Sequence, residues 1–149
     1  MLDGERKLVD ALMELADESS NPQLKKAFSS HRDETEGQVK RIEQCFALLG
    51  EDSEETECAG IKGLIEERKA FIEEDPSDDL IDVFDVGAAI KTESYEINAY
   101  KSLIRMSREM KHTKVARLLE ANLKEERAAL KKNGRFQQQD KAQSNDAGI

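Results

Sequence analysis

GEDSEETECAGIKGLIEERKAFIEEDPSDD, residues 50–79, decides the fold. It begins at Gly50, a helix stop, runs through an acidic stretch from Glu51 to Glu57, and closes on Asp75-Pro-Ser-Asp-Asp79. Between these ends Ile61, Leu64, Ile65, Arg68, Phe71 and Ile72 recur at helical spacing. The pattern predicts a short helix inside a connection of about thirty residues. What lies on either side of that connection fixes the topology.

On the N-terminal side, Leu2, Glu5, Leu8, Val9, Leu12, Met13 and Ala16 mark one stripe of a helix over residues 1–17. Asp17-Glu-Ser-Ser-Asn-Pro22 ends it, with Asn21 suited to cap a second helix and Pro22 to its first position. That helix carries Leu24, Phe28, His31, Thr35, Gln38, Ile42, Cys45, Phe46 and Leu49. On the C-terminal side a third long helix starts near Leu80 and carries Val83, Val86, Ile90, Glu93, Ile97, Tyr100 and Ile104. It ends around Lys111-His112, and Thr113 is placed to cap a fourth, with Val115, Leu118, Leu119, Asn122, Leu123, Glu126, Ala129 and Leu130 on its stripe. From Asn133-Gly134 onward the sequence is polar and unpatterned and reads as a disordered tail. The folded domain is thus expected over residues 1–132 and the tail over 133–149.

Short turns make each flanking helix pair an antiparallel hairpin. Two hairpins joined by one long crossover are the ferritin-like variant of the four-helix bundle, as opposed to the simple up-and-down form. The expected fold is therefore all-α: a ferritin-like four-helix bundle whose crossover contains an additional short helix.

Composition narrows the function classes. The chain has 149 residues, 37% of them charged and 5% aromatic, with a formal net charge of −9. That balance disfavours nucleic acid, whose phosphates an acidic protein repels, and no basic run in the sequence offsets it. No stretch approaches the ~18 apolar residues of a membrane span, and the helices are too acidic for anionic lipid surfaces. Two cysteines, Cys45 and Cys58, are too few for a disulfide framework, which points to a cytoplasmic protein.

Each long helix carries an acid in or beside its apolar stripe: Glu5, Glu34, Glu93 with Glu96, and Glu126. Their heights match. Glu5 and Glu34 each lie about 18 Å from the first turn, and Glu96 and Glu126 about 20 Å from the second, at 1.5 Å per residue. Carboxylates from several helices at one level, with an imidazole, are what two divalent ions need for charge balance. Each residue also has a plainer reading. A Glu at a stripe edge ordinarily reaches solvent or pairs with Lys or Arg, and His31 alone reads as a hydrogen-bonded core histidine. Glu125 is the alternative to Glu126, since half a turn of rotation exchanges them. Tyr100 reads as a core aromatic with its hydroxyl partnered, or as a hydrogen-bond partner behind a metal-binding Glu. Gln38 flanks Glu34 on the same face and joins Tyr100 in that supporting role.

HRDETEGQVKRIEQCFALLG, CAGIKGLIEE and KTESYEINAYKSL, together with LDGERKLVDAL and LLEANLKEERAA at the two ends, resemble the YciE/YciF family of bacterial stress-associated proteins. The resemblance spans residues 1–132. It implies a rubrerythrin-related ferritin-like bundle, a homodimer, and a site for two metal ions, iron in the first instance with manganese as the alternative. It further implies ferroxidase or peroxide-scavenging chemistry on dioxygen or peroxide. Carried over by position, Glu5, Glu34, Glu93 and Glu126 supply one acid per helix, and His31 and Glu96 are further candidates. In that arrangement Glu34 and Glu126 are candidates to bridge the ions, Glu5 and Glu93 are terminal ligands, and His31 is either a nitrogen donor or a hydrogen-bond partner behind a ligand. The chain departs from the pattern in three ways. It begins within what looks like the family's first helix, Ser94 stands where the family often has His, and the Glu-x-x-His pair of better-characterised di-iron bundles is absent among the acids on the helix stripes. The competing expectation is a non-enzymatic stress or assembly protein whose buried acids pair with Arg41, Arg105 or tyrosine.

Overall fold

Helix punctuation anticipated at Asn21-Pro22 and at Gly50 is realised in detail. In the computed structural model, which describes residues 1–53 and 56–146, Asn21 Oδ1 accepts from the backbone N–H groups of Gln23 and Leu24 at 2.9 and 3.3 Å. Gly50 adopts φ 69°, a left-handed conformation open to glycine at little cost. Five helices result: α1 Leu2–Glu18, α2 Pro22–Leu49, α3 Ala59–Glu73, α4 Asp78–Glu109 and α5 Thr113–Asp146. No strand occurs among the described residues. Glu54 and Glu55 of the acidic connection, and residues 147–149, lie outside those residues. No helix is long and apolar enough to cross a membrane.

α1 packs along α2 and α4 along α5, and the two pairs meet through α2 and α5. The apolar side chains form two separate clusters. One contains Leu2, Ile42, Ile97, Ile104, Val115 and Leu119. The other contains Leu12, Leu15, Leu24, Phe28, Val86 and Ala89, with Phe136 packed against it. Between these two sets every long helix places buried polar side chains: Glu5 on α1, Thr35 and Gln38 on α2, Glu93 and Glu96 on α4, and Glu126 on α5.

The crossover helix α3 lies against α4 and α1 and is fastened along its length. At its start Asp3 Oδ2 accepts from the Cys58 backbone N–H at 2.7 Å. Gly60 lies so close to Tyr95 that a Cβ there would be 2.5 Å from the ring, and Ile61 is fully buried. Arg68 donates from Nε and Nη2 to both oxygens of Asp85 at 2.7 and 3.0 Å, and from Nη2 to Glu18 at 2.9 Å. Phe71 and Phe84 stack with centroids 4.2 Å apart.

Two features differ from the sequence reading. The chain does not leave its helix at Asn133-Gly134; α5 runs to Asp146. Asn133 is buried and Phe136 contacts the second apolar cluster, so tertiary contacts outweigh a local stop signal. A basic groove also exists that no run in the sequence announces. Lys101 and Arg105 from α4 and Lys124 and Arg127 from α5 line it, above Ile104 and Leu123.

Asp85 is fully buried, so its partner decides its cost. Arg68→Met should destabilise the protein by about 3–5 kcal/mol in urea denaturation, because a carboxylate is left unpaired in the interior. Removing both charges, in Arg68→Met with Asp85→Leu, should restore most of that loss.

Candidate functional site

Between the two apolar clusters the four long helices turn polar groups toward one another. Glu5 of α1, Gln38 of α2, Glu93 and Glu96 of α4, and Asn122 and Glu126 of α5 are all 1% exposed or less. Helices tolerate such a layer because their backbone hydrogen bonds are internal; the cost falls on the side chains alone. Apolar packing on either side of the layer holds the register.

One oxygen of most of these acids is anchored. Tyr100 donates its hydroxyl hydrogen to Glu5 Oε1, Gln38 Nε2 donates to Glu126 Oε1 at 2.8 Å, and Asn133 Nδ2 donates to Glu93 Oε1 at 2.6 Å. Tyr100 is held in turn by Asn122 Nδ2 at 3.1 Å, and Asn122 Oδ1 accepts from Arg41 at 2.9 Å. The facing oxygens are not satisfied. Glu5 Oε2, Glu93 Oε2, Glu96 Oε1 and Glu126 Oε2 are buried without a hydrogen-bond donor. Asp85, equally buried, has a guanidinium N–H on each oxygen. The same chain therefore neutralises one buried acid completely and leaves four together without a Lys or Arg.

Protonation follows from that crowding. Burial, and next the charge of Glu126, raise Glu5 to about 7. Burial raises Glu93 to about 8 against the opposing pull of His31. Burial and the neighbouring Glu5 and Glu126 hold Glu96 well above its ordinary value. A proton on Glu96 lets it hydrogen-bond to Glu5 and Glu126. His31 is lowered by burial, but Glu34, Glu126 and Glu93 outweigh that and raise it to about 9. Burial pushes the Tyr100 hydroxyl far up, so it keeps its proton and can donate it to Glu5.

Of the residues anticipated from the sequence, Glu5, Glu93, Glu96 and Glu126 come together, with Gln38 and Tyr100 as their hydrogen-bond partners. Glu125 does not join them: it pairs with Arg41 at 2.8 Å. Glu34 is not a bridge in this arrangement. Its side chain is 44% exposed and meets His31 Nδ1 at 3.3 Å, while His31 Nε2 lies 3.7 Å from Glu126 Oε2. A carboxylate one turn from His31 on α2 points past the cluster because Thr35 and Gln38 hold the inward face. Ser94 turns back to the Ile90 carbonyl at 2.7 Å. The reading missed Asn122 as a support, although its place among leucines on one stripe signalled it. It missed Asn133 by ending the helix there. Among the described residues, no three His, Cys, Asp or Glu side chains converge so as to hold one metal ion as they stand.

One cleft reaches acids of the layer, and a second ends at His31 and Asn133, which border it. The first, of about 60 Å³, is mostly apolar, running past Leu8, Leu12, Leu64 and Ala89 to Glu93 and Glu96. The other, of about 100 Å³, lies between α2 and α5 and is lined by Ser30, His31, Glu34, Lys132 and Asn133 among others.

A family profile described as a domain of unknown function (DUF892) matches residues 1–143. The chain is 36% identical over 125 residues to protein YciF of Escherichia coli strain K12, covering 83% of this chain and 75% of that protein. The crystal structure of the E. coli stress protein YciF superposes with a TM-score of 0.85 at 34% identity, over 91% of this chain and 86% of that one. YcfI from Rhodopseudomonas palustris gives 0.86 at 32% identity, over 89% and 85%. The segments that resembled YciE/YciF in the sequence thus lie within a match covering nearly the whole chain, and the chain belongs to the DUF892 family, with YciF among its relatives.

Proposed function

We propose that the polar layer is a binding site for two divalent metal ions, iron in the first instance, within a ferritin-like four-helix bundle that acts on dioxygen or peroxide. The observation that carries this reading is the set of four buried carboxylate oxygens with no donor. Four ionised carboxylates balance two divalent cations, and hard oxygen donors with one imidazole suit ferrous or manganous ions. Glu5, Glu93, Glu96, Glu126 and His31 would hold the ions. Holding them requires side-chain rotation from the observed arrangement, since no three ligands converge in it.

Two ferrous ions held by these residues would supply the electrons that reduce dioxygen or peroxide. The rest is work of the chain itself. Tyr100, Gln38 and Asn133 each fix one oxygen of a carboxylate and leave the other free to turn. The apolar clusters on both sides exclude bulk water, which strengthens every charge interaction in the layer. The lack of convergence favours one competing reading, a structural layer satisfied by protons alone, in which the acids stay neutral and share hydrogens.

Anaerobic titration of metal-free protein with ferrous ion separates the two readings. About two ions should bind per chain, be lost in Glu93→Gln and Glu126→Gln, and be retained in Glu125→Gln. Binding no stronger than that of an acidic surface would leave the structural reading in place.

Protonation gives a second test. Glu5 and Glu93 titrate at about 7 and 8 when folded, against an ordinary 4.5. The folded state then binds more protons than the unfolded chain across that window, so stability falls as pH rises through it. His31, raised from 6.5 to about 9, extends the fall to higher pH. The melting temperature of metal-free protein should therefore be highest near pH 5 and decline steadily to pH 9. Ferrous ion should lessen that decline, because its binding displaces the same protons. Glu96→Gln mimics the protonated acid while keeping its shape, and should leave metal-free stability within about 1 kcal/mol or raise it.

A further inference from the structure

Glu34 was expected in the cluster and is found at the surface, in the mouth of the cleft between α2 and α5. Its position is informative. From its exposed carboxylate the polar groups descend without a gap: His31 Nδ1 lies 3.3 Å away, and His31 Nε2 lies 3.7 Å from Glu126 Oε2. A second oxygen marks the same path. Asn133 is 6% exposed, lines the cleft, and its Oδ1 is buried with no partner, while its Nδ2 holds Glu93. The cleft thus carries a carboxylate outside and an amide carbonyl and an imidazole within, and the imidazole stands 3.7 Å from an unpartnered oxygen of Glu126.

From this ladder we infer that the α2–α5 cleft is the route by which a divalent cation reaches the layer, with Glu34 as the residue that captures it. The inference rests on the two-metal reading of the layer. A hydrated cation sheds water only where oxygen or nitrogen donors replace it. This cleft offers oxygen in the Glu34 carboxylate at its mouth and in the unpartnered Asn133 amide carbonyl further in. The other cleft is lined mostly by apolar side chains, Leu8, Leu12, Leu64 and Ala89 among them, and sets two cations, Arg68 and Lys69, beside Glu14 and Thr92. Lys132, lining the same mouth as Glu34, opposes a cation there, so the two side chains set the rate with opposite signs. Glu34 is a positioning residue on the path and not a ligand of the final site.

Cobaltous ion, which is visible spectroscopically and stable to air under mild conditions, is the probe. Stopped-flow uptake by the metal-free protein should slow on the order of tenfold in Glu34→Gln, with the number of ions bound at the end unchanged. Lys132→Gln should load faster than the unsubstituted protein. Both side chains are at the surface, and unchanged circular dichroism checks that the fold is intact. Uptake in Glu34→Gln at the unsubstituted rate would overturn the route. Loss of a bound ion in that variant would also overturn it, by making Glu34 a ligand. The two-metal reading fails separately, through an unsubstituted protein that takes up no ion, and then the route falls with it.

Discussion

Repulsion among carboxylates in one buried layer is the constraint around which this protein is organised. Two ionised acids about 4 Å apart repel by roughly 4 kcal/mol even at an effective dielectric near 20. A whole domain is stable by only about 5–15 kcal/mol. Glu5, Glu93, Glu96 and Glu126 therefore cannot all be charged in the layer unless positive charge enters it. Protons and metal ions are the two ways to supply that charge, and His31 contributes one more in its protonated form. Each anchoring residue, Tyr100, Gln38 and Asn133, grips one oxygen and leaves its twin unclaimed. The layer is thus rigid on its outer side and adjustable at its centre.

That adjustability depends on stiff surroundings. The two apolar clusters lie on either side of the polar layer, and α3 ties α1 to α4 from outside through Arg68, Asp85 and Glu18. Asp82 adds a tie at one end, accepting from the Ser20 and Asn21 backbone N–H groups in the α1–α2 turn at 3.1 and 3.0 Å. Ordinary buried charge in this molecule is paired and static, as at Asp85. The carboxylate layer differs in kind, and the contrast within one chain is the strongest physical reason to give it a role beyond packing.

Much of this was legible in the residues. Capping chemistry at Asn21-Pro22 and Gly50 placed helix ends to within a residue or so, because those signals act locally. Counting residues from the turns put the acids at one level, since helical rise is nearly constant. Rotation was harder to read than height. Glu34 and Glu125 fall on the wrong side by less than a turn, and only Thr35, Gln38 and Arg41, reached through tertiary contacts, decide which way each helix faces. Asn133-Gly134 misled for a similar reason. Their local preference is to stop a helix, and the contacts that overrule it, Glu93 and the second apolar cluster, are forty or more residues earlier in the chain.

The late position of Asn133 and Phe136 bears on how the protein is made. Translation delivers α1 to α4, with Glu5, Glu93 and Glu96, before the amide that holds Glu93 or the ring that closes the second cluster has left the ribosome. Until then the layer lacks its fourth wall and one apolar end lies open, the kind of surface on which nascent chains associate wrongly. Completion of α5 is therefore the step that seals the interior, and any ion held there would be enclosed only after that helix has been made.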